Sequence, residues 1–230
     1  MKMNDIKIGN FIINEKSRPF IIAEMSGNHN QSVDRALEII DAAAECGADA
    51  VKLQTYTPDT MTIDHDKGLF YIDDPKSLWN GNTLYDLYKT AHTPWEWHKQ
   101  IFDRAKEKGI MIFSTPFDAS SVDFLETLDV PAYKIASFEN KDWELLKKVA
   151  KTNKPVIMST GASTISEISE SVAVLKKNGC NDIILLKCTS TYPATPESTN
   201  LKTIPHMKDI FDCFTRIGCR IIYKDVYTTV

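Results

Sequence analysis

The chain alternates short apolar runs with amphipathic stretches, and this alternation constrains its fold more than any other feature. Repeated strand–helix units of this kind produce a parallel sheet covered by helices. The six strand-like runs lie at residues 20–25, 48–54, 110–114, 132–136, 155–159 and 182–187. The stretches with helical periodicity lie at residues 32–46, 95–108, 120–128, 141–150, 165–178 and 201–211. An insertion at residues 56–93 contains a helical stretch near residues 84–91, and residues 6–13 around Gly9-Asn10 predict a hairpin.

Polar residues at the strand ends favour a barrel over an open, doubly wound sheet. A doubly wound sheet usually has a glycine-rich phosphate turn after its first strand, and residues 25–30 do not match that pattern. A (β/α)₈ barrel distributes its chemistry over the carboxyl ends of many strands. Polar side chains stand at nearly every predicted strand end here: Glu24, Lys52, Gln54, Ser114, Thr115, Lys134, Ser137, Ser159, Thr160, Lys187 and Thr189. The predicted fold is α/β, an incomplete (β/α)₈ TIM-barrel type of about six βα units with an N-terminal β-hairpin.

Three lysines lie in strand-like runs, where an ammonium group is costly. Lys52, Lys134 and Lys187 fall on the second, fourth and sixth predicted strands. An unpaired ammonium in apolar surroundings costs several kcal/mol or loses its proton. Alternate barrel strands supply one interior layer, so the three lysines are expected to converge on one anion pocket. Hydroxyl groups beside them add directed donors for a phosphate or carboxylate: Thr115, Ser137 and Ser159. Two alternatives stay open, in which each lysine pairs with a carboxylate or one lysine is a Schiff-base nucleophile.

Two carboxylates and two histidines are further candidates for chemistry at the pocket mouth. Glu24 ends the first strand and Glu139 lies just beyond the fourth, where a carboxylate could orient a sugar hydroxyl or move a proton. A salt bridge to a neighbouring lysine is the alternative for either one. His29 and His92 are loop candidates for metal or proton chemistry, but no His, Asp or Glu pair has the helical spacing of a metal motif.

Composition excludes several classes of function. The net charge of −4 gives no electrostatic reason for a nucleic-acid or membrane partner. No apolar run approaches the roughly 20 residues that span a bilayer, and the first residues lack the apolar region of a signal peptide. The five cysteines never form a Cys-x-x-Cys pair, which is typical of reduced thiols in a cytoplasmic protein.

Several motifs, taken in order, resemble the sialic acid synthase family. They are IAEMSGNHN at residues 22–30, GADAVKLQTY at 47–56, FSTPFD at 113–118, KIAS at 134–137, STG at 159–161 and CTSTYP at 188–193. The resemblance covers about residues 1–213. Residues 84–97 look most like the pseudaminic acid synthase branch of that family.

The resemblance implies a transferase that condenses phosphoenolpyruvate with 2,4-diacetamido-2,4,6-trideoxy-L-altrose to give pseudaminic acid and phosphate. It also implies a divalent metal (Mn, Mg or Co) and a swapped homodimer. The substrate-binding residues that it implies are Lys52, Gln54, Thr115, Lys134, Ser137, Ser159 and Tyr192, and the catalytic ones are Glu24 and Glu139. By the same resemblance, Lys187 has no role in the site and is expected to be a paired, interior lysine. The alternatives are an N-acetylneuraminate or legionaminic acid synthase and a non-catalytic anion-binding remnant.

The chain departs from the family after Cys213. The family's strand-seven Gly-Leu-Ser-Asp-His and later Glu-Lys-His-Phe segments, whose histidines bind the metal, are not found, nor is its antifreeze-like domain. We therefore expect an incomplete barrel over residues 1–213, an aberrant tail over residues 214–230 and no metal ligands in this chain. Weak or absent activity is expected, and the swapped homodimer is in doubt for this chain.

A frameshift would explain the tail. Residues 218–222 can be encoded by the codons GGT-TGT-CGG-ATC-ATA, and the same letters shifted by two bases read Leu-Ser-Asp-His. The nucleotide sequence tests this hypothesis, which is wrong if no other frame continues toward Glu-Lys-His-Phe.

Overall fold

Residues 4–77, 79–189 and 196–218 are described by a computed structural model of the chain. The strands are β1 (Ile6–Ile8), β2 (Phe11–Ile13), β3 (Ile22–Glu24), β4 (Ala50–Thr55), β5 (Met111–Pro116), β6 (Tyr133–Ile135), β7 (Val156–Ser159), β8 (Ile183–Cys188) and β9 (Phe214–Gly218). The helices are α1 (Val33–Glu45), α2 (Pro58–Met61), α3 (Leu84–Ala91), α4 (Trp95–Glu107), α5 (Ala119–Glu126), α6 (Trp143–Ala150), α7 (Ile165–Lys177) and α8 (Thr203–Phe211). Short 3₁₀ turns occur at Gly68–Phe70, Glu139–Lys141 and Pro196–Ser198.

Seven parallel strands, β3 to β9, form one sheet in which each strand pairs with the next strand along the chain. A helix lies between each pair of consecutive strands, which is the repeated unit of a (β/α)₈ barrel. Within the described residues the pairing runs from β3 to β9 without a bond that closes the ring. The predicted fold class and its six βα units are therefore confirmed.

The number of strands differs from the prediction, because β9 is a seventh strand. It lies in the segment that the sequence assigned to a tail, and its register on β8 runs from Ile184↔Phe214 to Cys188↔Gly218. Its five residues, Phe-Thr-Arg-Ile-Gly, alternate too briefly to signal a strand, and pairing with β8 is what orders them. Residues 219–230 lie outside the described part of the chain, so the division at residue 213 stays a prediction.

The predicted hairpin is present and covers the amino-terminal end of the sheet. Strands β1 and β2 pair antiparallel, and Ile8 and Ile13 are buried in the core. Gly9 has φ +54°, and a Cβ atom there would lie 2.7 Å from the Sδ atom of Met111 at the start of β5. Only glycine combines this backbone conformation with so close an approach.

Side chains alternate between the inside of the sheet and its helix-covered outside. On the outside, Val51 and Leu53 of β4 pack against Ile40 of α1 and Ile101 of α4 in one buried cluster. Helices α1, α3, α5, α6 and α7 begin at side-chain caps, such as Asp118, whose carboxylate accepts from the backbone N–H groups of Ser120 and Ser121. In the described part of the chain, no helix has the length and apolar character needed to cross a membrane.

Candidate functional site

Two lysines, two hydroxyls and two carboxylates meet inside the sheet at the carboxyl ends of its strands. The hydrogen bonds that join them cross between neighbouring strands: Lys52 on β4 to Thr115 on β5, and Lys134 on β6 to Ser159 on β7. Because side chains alternate along a strand, these contacts place all four residues on the same inner face. We call Glu24, Lys52, Thr115, Lys134, Glu139 and Ser159 the inner cluster.

Lys52 forms an ion pair across neighbouring strands. Its Nζ atom contacts Oε2 of Glu24, which lies opposite it in the β3–β4 register, and it donates to Oγ1 of Thr115 at 3.3 Å. The Lys52 side chain is only 12% exposed. The second carboxylate oxygen of Glu24, Oε1, is buried and has no hydrogen-bond partner among the described residues. Glu24 thus satisfies the salt-bridge alternative with one oxygen and keeps the other without a partner among the described residues.

Lys134 is the most deeply buried charged group of the cluster, at 7% exposed. Its Nζ atom donates to Oγ of Ser159 at 2.5 Å and to the carbonyl of Ile135 at 2.6 Å. Burial, and next the charge of Lys52, lower the pKa of Lys134 from 10.5 to about 7. Cys188, Glu24 and Glu139 act in the opposite direction. A bound anion would favour the charged ammonium, so this lysine is poised to take up a proton with an anionic ligand.

Glu139 lies in the 3₁₀ turn Glu139–Lys141, just after β6. Its Oε2 atom is buried and has no hydrogen-bond partner within the described residues. Burial raises the pKa of Glu139, and the charge of Lys134 partly opposes that rise. A buried carboxyl group with a raised pKa and a free oxygen is suited to exchange a proton with a ligand.

Gln54 and Ser137 lie beside the inner cluster, and Tyr192 lies outside the described residues. Gln54 follows Lys52 by two residues on the same face of β4, and its Oε1 atom accepts from Ser26 at 3.3 Å. Ser137 is half-buried in the segment that joins Lys134 to Glu139. The substrate-binding roles of these three residues stay predictions.

Lys187 does not join the other two lysines. Cys188 is on the inner face, with its Sγ atom 3.3 Å from Oγ of Ser159, so the preceding residue points outward. Lys187 lines a cavity of about 390 Å³ with residues of α7 and α8, including Ile168 and Met207. It is half-buried and donates to Oγ1 of Thr189 at 2.9 Å, with no carboxylate partner in the described part of the chain. The expectation of three converging lysines is wrong, whereas a paired, interior Lys187 stays a prediction.

Three residues near the inner cluster were missed as functional candidates. Cys188 contacts Ser159, and Asn140 beside Glu139 is completely buried. Tyr88 comes from helix α3 of the long insertion, where burial and, to a lesser extent, the charge of Glu139 raise the pKa of its hydroxyl. Its ring packs edge-on against Tyr56 at 5.8 Å. No local pattern marks these residues, because their roles depend on contacts between distant segments.

The two loop histidines contact residues outside the inner cluster. His29 is buried, its Nε2 atom lies 3.1 Å from Oγ1 of Thr93, and burial lowers its pKa to about 4. His92 places Nδ1 2.9 Å from the carbonyl of Lys89. Among the described residues, no group of three or more His, Cys, Asp and Glu side chains could hold a metal ion. This part of the chain therefore does not fit the divalent metal that the resemblance implies.

Comparison with known proteins decides the family. The sequence model of the NeuB family matches residues 39–219. The chain belongs to the NeuB family. It is 47% identical to a pseudaminic acid synthase of Campylobacter jejuni over 207 residues, covering 90% of this chain and 59% of that protein. The pseudaminic acid synthase of Helicobacter pylori is 44% identical, with 84% and 56% covered. The C. jejuni N,N'-diacetyllegionaminic acid synthase is 37% identical, with 84% and 58% covered. The NeuB chain thus spans less than two thirds of the length of these relatives.

Solved structures agree with the NeuB assignment. An N-acetylneuraminic acid synthetase of Leptospira borgpetersenii in complex with citrate has a TM-score of 0.83 and 29% identity, covering 94% of this chain and 70% of that one. A truncated 3-deoxy-D-arabino-heptulosonate 7-phosphate synthase of Thermotoga maritima has a TM-score of 0.65 at 15% identity, covers 93% of this chain and 68% of that one, and supports the fold alone.

Proposed function

We propose that this NeuB chain carries the phosphoenolpyruvate-binding part of a synthase that joins phosphoenolpyruvate to 2,4-diacetamido-2,4,6-trideoxy-L-altrose. The products are pseudaminic acid and phosphate. The observation that carries the proposal is the convergence of Lys52 and Lys134 at the strand ends. Within the described residues, these two lysines have one ion pair in total, between Lys52 and Glu24. The likeness to pseudaminic acid synthases, which is greater than that to the legionaminic acid synthase, supports this choice of sugar.

The charges of the inner cluster suit phosphoenolpyruvate. This substrate carries a phosphate and a carboxylate, and two nearby ammonium groups with hydroxyl donors complement both. The Oγ atoms of Thr115 and Ser159 are within 3.3 Å and 2.5 Å of the Nζ atoms of Lys52 and Lys134, so each cation has a hydroxyl beside it. Binding of the anion would offset the unfavourable proximity of the two lysines.

In the proposed reaction, the carboxyl groups of Glu24 and Glu139 assist the following bond changes. Carbon 3 of phosphoenolpyruvate attacks the aldehyde carbon of the open-chain sugar, and the aldehyde oxygen takes a proton to become a hydroxyl. Water adds at carbon 2, and one of its protons replaces the proton taken up by the aldehyde oxygen. The C–O bond to phosphate then breaks to leave a carbonyl, and the second water proton leaves with the phosphate. In this proposal Glu139 moves a proton and Glu24 orients the sugar through its free oxygen.

The long insertion is the proposed source of sugar choice. Helix α3 brings Tyr88 close enough for the Glu139 charge to affect its pKa, and Tyr56 supports its ring. In this proposal, the aromatic rings of Tyr88 and Tyr56 lie beside Glu139 and contact the sugar rather than phosphoenolpyruvate. A cytoplasmic location is a further expectation from the resemblance. The divalent metal and the swapped homodimer are expected for the family, but the described residues offer no ligands for that metal and the dimer is in doubt for this chain.

Calorimetric titration of phosphoenolpyruvate into the chain tests the binding part of the proposal. Lys52→Met and Lys134→Met are each expected to weaken binding by at least about tenfold, since each removes a charge-assisted contact of about 1.5–3 kcal/mol. Lys187→Met is the matched control, because it removes a strand lysine from the outward face and should leave binding unchanged. Equal affinity in all three variants and the wild type would refute the proposed site.

Phosphate release with different sugars tests the reaction. Release with the altrose sugar above that with the sugar substrates of legionaminic acid or N-acetylneuraminic acid synthases is the expected result. Binding of phosphoenolpyruvate without release would instead favour the non-catalytic alternative for this chain. Borohydride trapping of a covalent lysine adduct would favour the Schiff-base alternative.

A further inference from the structure

Asn140 is the only completely buried residue of the 3₁₀ turn that carries Glu139. Its neighbour on the other side of Glu139 is Phe138, which is 74% exposed and cannot anchor the turn. The Glu139 carboxylate offers no anchor through Oε2, since that atom is buried with no partner among the described residues. The position of Glu139 therefore depends on the backbone that Asn140 holds.

The side chain of Asn140 connects this turn to β7 and to the loop that follows it. Its Nδ2 atom donates to the carbonyl of Ser159 at 3.0 Å and to Oγ of Ser163 at 2.8 Å. Its backbone carbonyl accepts from Oγ of Ser171 on α7 at 2.6 Å. Buried amide groups that are satisfied on several sides have little freedom to move. The turn after β6 is thus bound to three points on the next βα unit.

Ser159 is where this network reaches the inner cluster. Its carbonyl is held by Asn140, while its hydroxyl accepts from Nζ of Lys134 at 2.5 Å. The Asn140 side chain consequently connects the turn that carries Glu139 with Ser159, whose hydroxyl holds Lys134. We propose that Asn140 is a positioning residue that sets the distance between Glu139 and the Ser159–Lys134 pair. This inference rests on the proposed function for its role in phosphoenolpyruvate binding.

The test replaces the amide without adding a charge. Asn140→Leu keeps similar volume and removes the Nδ2 donor, and Ser163→Ala removes one of its partners at a half-buried site where folding is less at risk. We expect the Kd for phosphoenolpyruvate to rise about tenfold in Asn140→Leu, or ~1.4 kcal/mol, and two- to threefold in Ser163→Ala. The fraction of chains that bind should stay constant, because positioning alters affinity rather than the number of competent sites.

Tyr133→Phe provides the matched control for loss of a buried hydrogen bond. Tyr133 precedes Lys134 on β6 but points outward, where its hydroxyl donates to Oε1 of Glu126 at 2.8 Å. This variant should lower the melting temperature and leave the Kd unchanged. An unchanged Kd in both Asn140→Leu and Ser163→Ala would overturn the proposal. So would a Kd that changes in Tyr133→Phe as much as in Asn140→Leu, since that would mark a general effect of stability.

A second readout requires no substrate and so separates this inference from the proposed function. The titration of the Lys134 side chain can be followed by NMR of its ε-carbon. In Asn140→Leu a less constrained Ser159 should let water reach Lys134, and its midpoint should move upward by at least half a pH unit. The same midpoint in Asn140→Leu and wild type would refute the positioning role, whether or not the chain binds phosphoenolpyruvate. An upward shift together with no binding by the wild type would refute only the proposed function.

Discussion

Replacement of Lys134 by methionine should stabilise the fold at acidic and neutral pH while it destroys the anion site. Burial is the first cause that lowers the pKa of Lys134 from 10.5 to about 7. This difference corresponds to on the order of 5 kcal/mol by which folding disfavours the ammonium below pH 7. Methionine has nearly the same length and no charge, but it leaves the carbonyl of Ile135 without its 2.6 Å partner. That loss costs about 1–3 kcal/mol, so Lys134→Met should be more stable by roughly 2–4 kcal/mol at pH 6.

The sign of the pH dependence follows from the lowered pKa. Between about pH 7 and pH 10.5 the unfolded chain binds the lysine proton and the folded chain does not, so wild-type stability rises with pH by up to ~1.4 kcal/mol per unit. The advantage of Lys134→Met is therefore largest below pH 7 and disappears as the pH approaches 10.

Urea unfolding followed by tryptophan fluorescence measures the difference between the two proteins at a series of pH values. Taking the difference cancels the titration of groups that both proteins share. Lys187→Met controls for the general loss of a positive charge. A difference that is constant between about pH 7 and pH 9, or a variant that is less stable at every pH, would refute the burial argument.

Three further predictions follow from the pKa shifts of Lys134, Glu139 and His98, a buried residue of helix α4. Binding of phosphoenolpyruvate should weaken as pH rises above about 7, by up to tenfold per unit, because Lys134 loses the proton that pairs with the anion; calorimetry at several pH values measures this, and a flat profile would contradict it. Glu139→Gln should raise the melting temperature at pH 7 but not at pH 4, because burial raises the pKa of Glu139 and so penalises the folded state as pH rises above 4.5; an equal change at both pH values would argue against this. Burial lowers the pKa of His98 to about 4, so as pH falls from 6.5 toward 4 the unfolded chain takes up a proton that the folded chain does not, and the folded state loses stability. His98→Gln should therefore unfold at lower pH than wild type, and coincident acid-unfolding curves would show that His98 is not responsible.

Local sequence patterns predicted most of the fold because each strand and helix carries its own periodicity. The apolar runs at residues 132–136 and 155–159 became β6 and β7, and the helical stretch at residues 32–46 became α1, which begins after the cap Ser32. Strand β9 escaped prediction, since five residues with one arginine have no strong local preference and depend on pairing with β8.

The sequence predicted which residues lie in the site better than it predicted the contacts between them. Lys52, Thr115, Lys134 and Ser159 were expected together because parallel strands end at one edge, and the structure brings them together. The Glu24–Lys52 ion pair and the network around Asn140 required contacts between segments far apart in the chain. Residue type and local spacing do not predict such contacts.

By itself, the sequence determined the fold class, the order of the strands and the supply of cations and hydroxyls at their ends. Local patterns placed all three lysines together, the family resemblance retained only Lys52 and Lys134, and the tertiary structure shows the geometric reason for that difference. Successive side chains of a strand point to opposite faces, so the register between β7 and β8 directs Cys188 inward and Lys187 outward. That register is set by hydrogen bonds between separate strands, which is why Lys52 and Lys134 share the inner face and Lys187 does not.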